Sequence, residues 1–326
     1  MYAYHGTMTT PASLPLRPAL IVHHMGAMDH SPYPPNSLEA IRACLDAHAA
    51  VIEIDVTALA DTDYLLVHDP LLDSETDGSG EVGRCTAAQA RHLQYVVKGK
   101  ATDVHVPLLG DVVQLFLQHP SPSRLQIDFK NMIPFGDDEP LHRFVKLISP
   151  LGRRVLVSTG ADWQLRRLRE KMPALEVGLD VHFYIDWQAP GTHRDGRAYP
   201  RQTGAYGYLD DHPLAIRRIW PTASYLCDKC QMLIGLVPGV STFYIDHNFL
   251  VQSLHDGFNW ASELHRHGIV LDAWTLDVTN PVALTHVPTL LAAGVDQFTT
   301  NTPQALGALL APIGETEIRP VAQSPG

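Results

Sequence analysis

Short apolar runs alternate with stretches of helical periodicity along nearly the whole chain. Nine runs read as strands: Ala19–His23, Val51–Val56, Tyr64–Val67, Leu125–Phe129, Arg154–Ser158, Glu176–Leu179, Ser241–Ile245, Val270–Thr275 and Val295–Thr299. Between them, apolar residues recur at helical spacing over Ser37–Ala49, Asp111–Gln118, Pro140–Ile148, Trp163–Lys171, Phe249–His267, Val282–Ala293 and Pro303–Leu310. Asn36 can cap the first of these helices, with Glu39 three positions on to reach back. The alternation predicts βα units, and about 250 residues plus insertions suit an α/β chain closed as a (β/α)8 barrel. Nine strand candidates are one too many for that barrel, so one should lie outside its wall. The connection from Glu53 to His68 is too short for a crossover helix, so the barrel should be irregular there. A glycine-rich phosphate loop after the first strand, which a nucleotide-binding sheet would carry, is absent.

Two stretches interrupt the pattern, about 71–107 and 181–239, within a single domain expected to span residues 1–314. Eight of the 25 aromatic residues fall between Phe183 and Tyr225. A flexible linker is poor in aromatics, so this stretch should be ordered. Following a late strand, it is expected to lie over the mouth as a lid for a small polar substrate, the alternative being an insertion that packs against the barrel side and never meets substrate. It also carries Arg194, Arg197, Arg201, Arg217 and Arg218. The polar, proline-containing tail 315–326 should be mobile.

Composition narrows the class. The 326 residues are 45% hydrophobic and 18% charged, an ordinary globular balance. The net charge of −11 repels phosphate backbones and argues against a nucleic-acid partner. Four cysteines in a chain this long cannot form a disulfide framework. No apolar run is long enough for stable membrane insertion, and Met1–Pro18 lacks the basic start and apolar core of a secretory signal. A cytoplasmic enzyme acting on a small molecule is expected.

The chemistry concentrates at strand ends. Val51–Val56 is an apolar strand broken by Glu53 and Asp55, and period two puts both carboxylates on one face. Leu125–Lys130 repeats the arrangement with Asp128 and Lys130. If these face the barrel mouth, the acids repel each other and lose hydration unless a cation sits between them. Three hard oxygen donors suit Mg²⁺ or Ca²⁺; the bland reading is salt bridging, Lys130 with Asp128 for instance. His24, ending the first strand, and His68, ending the third, flank the acids. One histidine to take a proton from an attacking hydroxyl and another to give one to a leaving alcohol is what phosphodiester cleavage needs.

The ordered set His24-Met25-Gly26, Pro34-Pro35-Asn36-Ser37, Glu53-x-Asp55, His68-Asp69, Asp128-x-Lys130, Trp274-Thr275 and Gly294–Pro303 resembles the glycerophosphodiester phosphodiesterase family, over about residues 19–310. The resemblance implies a TIM barrel, a divalent metal on Glu53, Asp55 and Asp128, and an acid/base pair of His24 and His68. It implies hydrolysis of glycerophosphodiesters to glycerol 3-phosphate and an alcohol.

This chain departs from the family pattern. Met25 stands where the family usually carries a phosphate-binding Arg, Pro35 replaces a Glu, and Asp128 replaces the third acid, usually Glu. Asp277 and Asn301 also differ from the usual pattern. Several variants resemble the related sphingomyelinase D and phospholipase D-like enzymes, which act on phospholipids. A barrel that binds phosphodiesters without turning them over is a third reading. Lys130 is the best remaining phosphate cation. Trp274 can pack a ligand's glycerol or choline face or serve as a core aromatic. Asp277 and Asn301 can orient a histidine, bind substrate hydroxyls, or simply form turns. Cys227-x-x-Cys230 has zinc-like spacing but no second pair.

Overall fold

The computed structural model describes residues 19–189 and 201–315. Eight parallel strands close into a barrel: β1 (Leu20–His23), β2 (Val51–Ala58), β6 (Arg124–Phe129), β7 (Val155–Thr159), β8 (Glu176–Asp180), β9 (Thr242–Asp246), β10 (Val270–Trp274) and β11 (Gln297–Thr300). β1 bonds to both β2 and β11 and so shuts the ring. The ninth predicted strand shrinks to β3 (Tyr64–Leu65), which turns back antiparallel on the end of β2, outside the wall. The remaining pair, β4 (Gln94–Val97) and β5 (Lys100–His105), forms a hairpin in the first insertion.

The helices are α1 (Leu38–Asp46), α2 (Ala87–Ala90), α3 (Leu109–Gln118), α4 (Glu139–Ile148), α5 (Asp162–Lys171), α6 (Thr222–Leu236), α7 (His247–His255), α8 (Trp260–His265), α9 (Pro281–Ala293) and α10 (Pro303–Glu315). Apart from α2, which belongs to the first insertion, they bury apolar residues in the layer around the wall. Ile52, Ile54 and Val56 of β2 belong to that layer with Ile41, Cys44 and Leu45 of α1.

Several local expectations change. Ser37, not Asn36, caps α1, its hydroxyl accepting from Ala40 N–H. The predicted helix Phe249–His267 is two helices. It starts earlier, where Asp246 caps α7, and breaks at Gly257, whose φ of 85° ends a right-handed helix. Asn259 then caps α8. α6 lies inside the second insertion and was not foreseen, because Lys229 interrupts its apolar face. That lysine is buried and paired at 3.0 Å with buried Asp210. The first insertion carries its own small core, including Leu72, Val82, Tyr95 and Val106, packed on β3. The expected mobile tail, apart from Glu315 at the end of α10, lies outside the described residues, as do Met1–Pro18.

No described residue of the second insertion lines the cavity at the barrel mouth, so the expected lid over substrate is not seen among them. Tyr206 stacks on Tyr225 at 4.0 Å, and Tyr208 packs on Phe249 of α7, so these rings join the barrel's flank. Arg201 donates to the His182 carbonyl, while Arg217 and Arg218 are exposed. Arg194 and Arg197 lie outside the described residues.

The barrel interior is polar in places. Gly178 leaves room for Tyr244, whose ring would lie 2.4 Å from a Cβ at that position. Asp272 of β10 accepts from Thr299 Oγ1 at 2.8 Å, while its second oxygen has no hydrogen-bond partner. Burial pushes this carboxyl up to about 7, against the partial help of Thr299. The folded barrel therefore keeps a proton that the unfolded chain releases near pH 4, and stability falls as pH rises from about 4 to about 7. Asp272→Asn removes that loss. Thermal melts should show the variant gaining over wild type at pH 8 and little at pH 4; an equal offset at both would rule out the carboxyl as the cause.

Candidate active site

The C-terminal ends of the barrel strands surround a cavity of about 250 Å³. Its lining includes His24, Glu53, His68, Asp128, Lys130, Asp180, Tyr244 and Trp274. Asp55 and Asp128 are register partners across the β2–β6 pair, so their carboxylates meet without help from any loop. Oxygens of Glu53, Asp55 and Asp128 all lie within 4.8 Å of one another. Lys130 Nζ sits among them, 2.6 Å from Asp128 Oδ2 and 2.8 Å from Asp55 Oδ1.

The electrostatics are lopsided. Burial, then the charges of Asp55 and Asp128, push Glu53 well above the usual carboxylate range. Burial acts the same way on Asp55, but Lys130, His68 and His24 outweigh it and hold Asp55 low. Burial would strip the Lys130 proton, yet Asp128, Asp55 and Glu53 hold it well above its ordinary value. Asp55 Oδ1 is fully buried, and its polar neighbour is the Lys130 ammonium at 2.8 Å. With every acid ionised, three carboxylates and one ammonium would leave two negative charges. An all-oxygen set of converging carboxylates with that surplus fits a hard divalent cation.

Two strained residues hold the acids from the β1 side. Met25 and Asn36 both adopt positive φ, 52° and 62°, where non-glycine residues seldom sit. The turn lets Met25 N–H donate to Glu53 Oε2 at 2.7 Å. Buried Asn36 donates to Asp55 Oδ2 at 3.3 Å and accepts from Asp55 N–H at 3.2 Å. Asn36 thus clamps an acid rather than a helix.

The histidines are held by different means. His24 Nδ1 lies 2.8 Å from Asn301 Oδ1. Asn301 in turn donates its side-chain amide and its backbone N–H to the two oxygens of Asp277, at 3.0 and 2.7 Å. Because the amide nitrogen is committed to Asp277, the oxygen faces His24, which must carry its proton on Nδ1. In the neutral ring Nε2 would then hold the lone pair; it lies 4.0 Å from Glu53. Asp277 and Asn301 stand behind His24 and do not line the cavity; Lys130 and Trp274 do. His68 was expected at the end of a barrel strand. It instead reaches the mouth from the loop after β3, where Glu75 accepts from the N–H groups of His68 and Asp69, both at 2.8 Å. Its Nδ1 pairs with Asp69 at 2.8 Å.

Sequence reasoning missed several contributors. Asp180 ends β8 in the cavity wall, and burial raises its carboxyl. The strand-end rule applied to the histidines would have found it. His182 accepts from Asp246 N–H at 2.7 Å, lies 2.8 Å from Asp186, and packs edge-on to Trp274 at 5.1 Å. No local sequence pattern marks that buttress.

Residues 24–305 match the glycerophosphoryl diester phosphodiesterase family. The chain belongs to that family. A glycerophosphodiester phosphodiesterase of Caldanaerobacter subterraneus is 26% identical over 162 residues, covering 49% of this chain and 65% of that relative, just under two thirds of its length. Among solved structures, a putative glycerophosphoryl diester phosphodiesterase from Silicibacter pomeroyi superposes with a TM-score of 0.66 at 19% identity, covering 93% of this chain and 97% of that one. An Oleispira antarctica phosphodiesterase in complex with the product sn-glycerol-3-phosphate superposes at 0.61, with 16% identity and coverage of 90% and 96%.

The Asp277–Asn301–His24 relay has a direct readout. At a pH where the ring is neutral, nitrogen NMR should find His24 with its proton on Nδ1. Asn301→Ala should shift the population toward the Nε2–H form. A wild-type ring protonated on Nε2 would break the relay.

Proposed function

We propose that the barrel hydrolyses glycerophosphodiesters to glycerol 3-phosphate and an alcohol. The observation that carries this reading is two differently held imidazoles on one cavity that also contains three acids and a lysine. Family membership points the same way. Glu53, Asp55 and Asp128 would hold a divalent cation, Mg²⁺ or Ca²⁺. When bound, it would polarise the phosphoryl oxygens and offset their charge. Lys130, fixed as an ammonium, attracts the phosphate in place of the arginine that Met25 displaces.

The imidazoles divide the proton work. His24 Nε2, free of a proton, accepts the one lost by the attacking oxygen, whether a hydroxyl of the substrate or water. The opposite partner, Asp69, balances an imidazolium at His68, which gives a proton to the departing alcohol oxygen. Asp180 offers a buried acceptor to a hydroxyl or ammonium of the substrate, and Trp274 an apolar face. A cavity of about 250 Å³ lies just below the roughly 300–1,000 Å³ of common small-molecule sites, which favours a headgroup over a whole phospholipid.

Choline release from glycerophosphocholine should exceed that from lysophosphatidylcholine or sphingomyelin at matched concentration. Chelation should abolish it, and Mg²⁺ or Ca²⁺ should restore it. Preference for either lipid would move the assignment to a phospholipase D-like enzyme; full activity of metal-free protein would end the three-acid hypothesis.

His24→Ala and His68→Ala should each lower kcat by about two to four orders of magnitude, with folding little changed. A variant keeping more than about half of wild-type kcat would remove that histidine from the chemistry.

A further inference from the structure

The three most exposed large apolar side chains among the described residues are Ile216 (81%), Ile219 (74%) and Ile133 (73%). All three lie in connections that leave the C-terminal ends of barrel strands: Ile133 after β6, and the other two between β8 and α6. α6 ends close to the start of β9, so its C-terminus sits at the far end of the barrel. Its 15 residues rise about 22 Å, whereas the five-residue strand β9 that follows it spans about 16 Å. The loop before α6 therefore stands at the level of the mouth or beyond it.

That loop reads Ile216-Arg217-Arg218-Ile219-Trp220, and all five residues are exposed. Its backbone is held from within: Tyr206 Oη accepts from Ile219 N–H at 3.1 Å and Trp220 N–H at 3.2 Å. Arg218 lies over the Tyr206 ring and donates to Thr222. Ile216, Arg217, Ile219 and Trp220 are thus exposed on a fixed turn, with Arg218 exposed beside them along the Tyr206 ring. On a chain of net charge −11, these five positions carry two arginines and no acid.

We propose that this loop docks the barrel mouth on an anionic phospholipid surface. The isoleucines enter the acyl boundary, Trp220 lies at the headgroup level, and Arg217 and Arg218 meet the lipid phosphates. Negative lipid is the partner because the arginines complement it while the rest of the chain is repelled by it. The contact is peripheral: among the described residues, no helix is long and apolar enough to cross a membrane. It holds whichever phosphodiester the cavity takes.

The test is co-sedimentation with vesicles of phosphatidylcholine alone or with phosphatidylglycerol. Wild type should bind the anionic vesicles, and salt should release it. The double variants Ile216→Ser/Ile219→Ser and Arg217→Gln/Arg218→Gln should each bind about tenfold more weakly or worse. Circular dichroism melts matching wild type would show that both fold, independently of any activity. Failure of wild type to bind anionic vesicles overturns the proposal, as does binding that both double variants retain. A wild-type dimer that the serine variant dissolves, without vesicle binding, would assign the loop to a second copy instead.

Discussion

Everything at the mouth of this barrel answers to one problem: three carboxylates converge where water is scarce, and one ammonium cannot balance them. Glu53, Asp55 and Asp128 are brought together by strand register alone, before any loop contributes. Lys130 relieves Asp55 and Asp128, and the remaining strain falls on Glu53, the acid pushed furthest from ionisation. A protein that needed only a stable core would put apolar residues here, since a partly balanced buried charge cluster stabilises less than packed side chains do. Retaining the surplus makes sense for a site that takes a dication. A cation there would favour the ionised form of Glu53, opposing the burial that raises its carboxyl.

The strained backbone beside the acids follows from the same problem. Met25 and Asn36 sit in left-handed conformations so that an N–H and a carboxamide can reach carboxylates on the neighbouring strand. The first insertion has a comparable task. Its Glu75 gathers the N–H groups of His68 and Asp69, fixing a loop that no barrel strand supports. Its small core of Leu72, Val82 and Tyr95 then holds Glu75 in place. The irregularity of the wall after β2 and the position of His68 are one feature.

The barrel was legible in the sequence because its two periods are strong. Apolar runs mark the strands, and Glu53, Asp55 and Asp128 stand out as acids inside them. The short connection from Glu53 to His68 even signalled where the wall departs from regularity. Legibility stopped where tertiary contacts overrule local pattern. Lys229 in the face of α6 looks like a break, because its partner Asp210 lies 19 positions away. Asn36 has the chemistry of a helix cap, and only the register of β2 reveals Asp55 as its partner. Asp277 and Asn301 were recognised as candidates, but whether they serve His24 or a ligand depends on which way one carboxamide faces.

The same mouth presents two surfaces of opposite character. The cavity is small and lined by acids, histidines and a lysine, so it selects by charge and hydrogen bonding and leaves little space for acyl chains. The loop before α6 is apolar, basic and exposed, so it has nothing to offer a polar headgroup inside the cavity. Separating the two lets the choice of substrate and the place where substrate is met be set by different residues. An enzyme that drew its lipid substrate out of a bilayer would need these surfaces to be continuous, with an apolar wall leading from the rim into the site. Here the described residues that line the cavity are polar or aromatic. The loop's apolar side chains point to solvent rather than inward, which fits a barrel resting on a surface while it works on a detached, soluble phosphodiester.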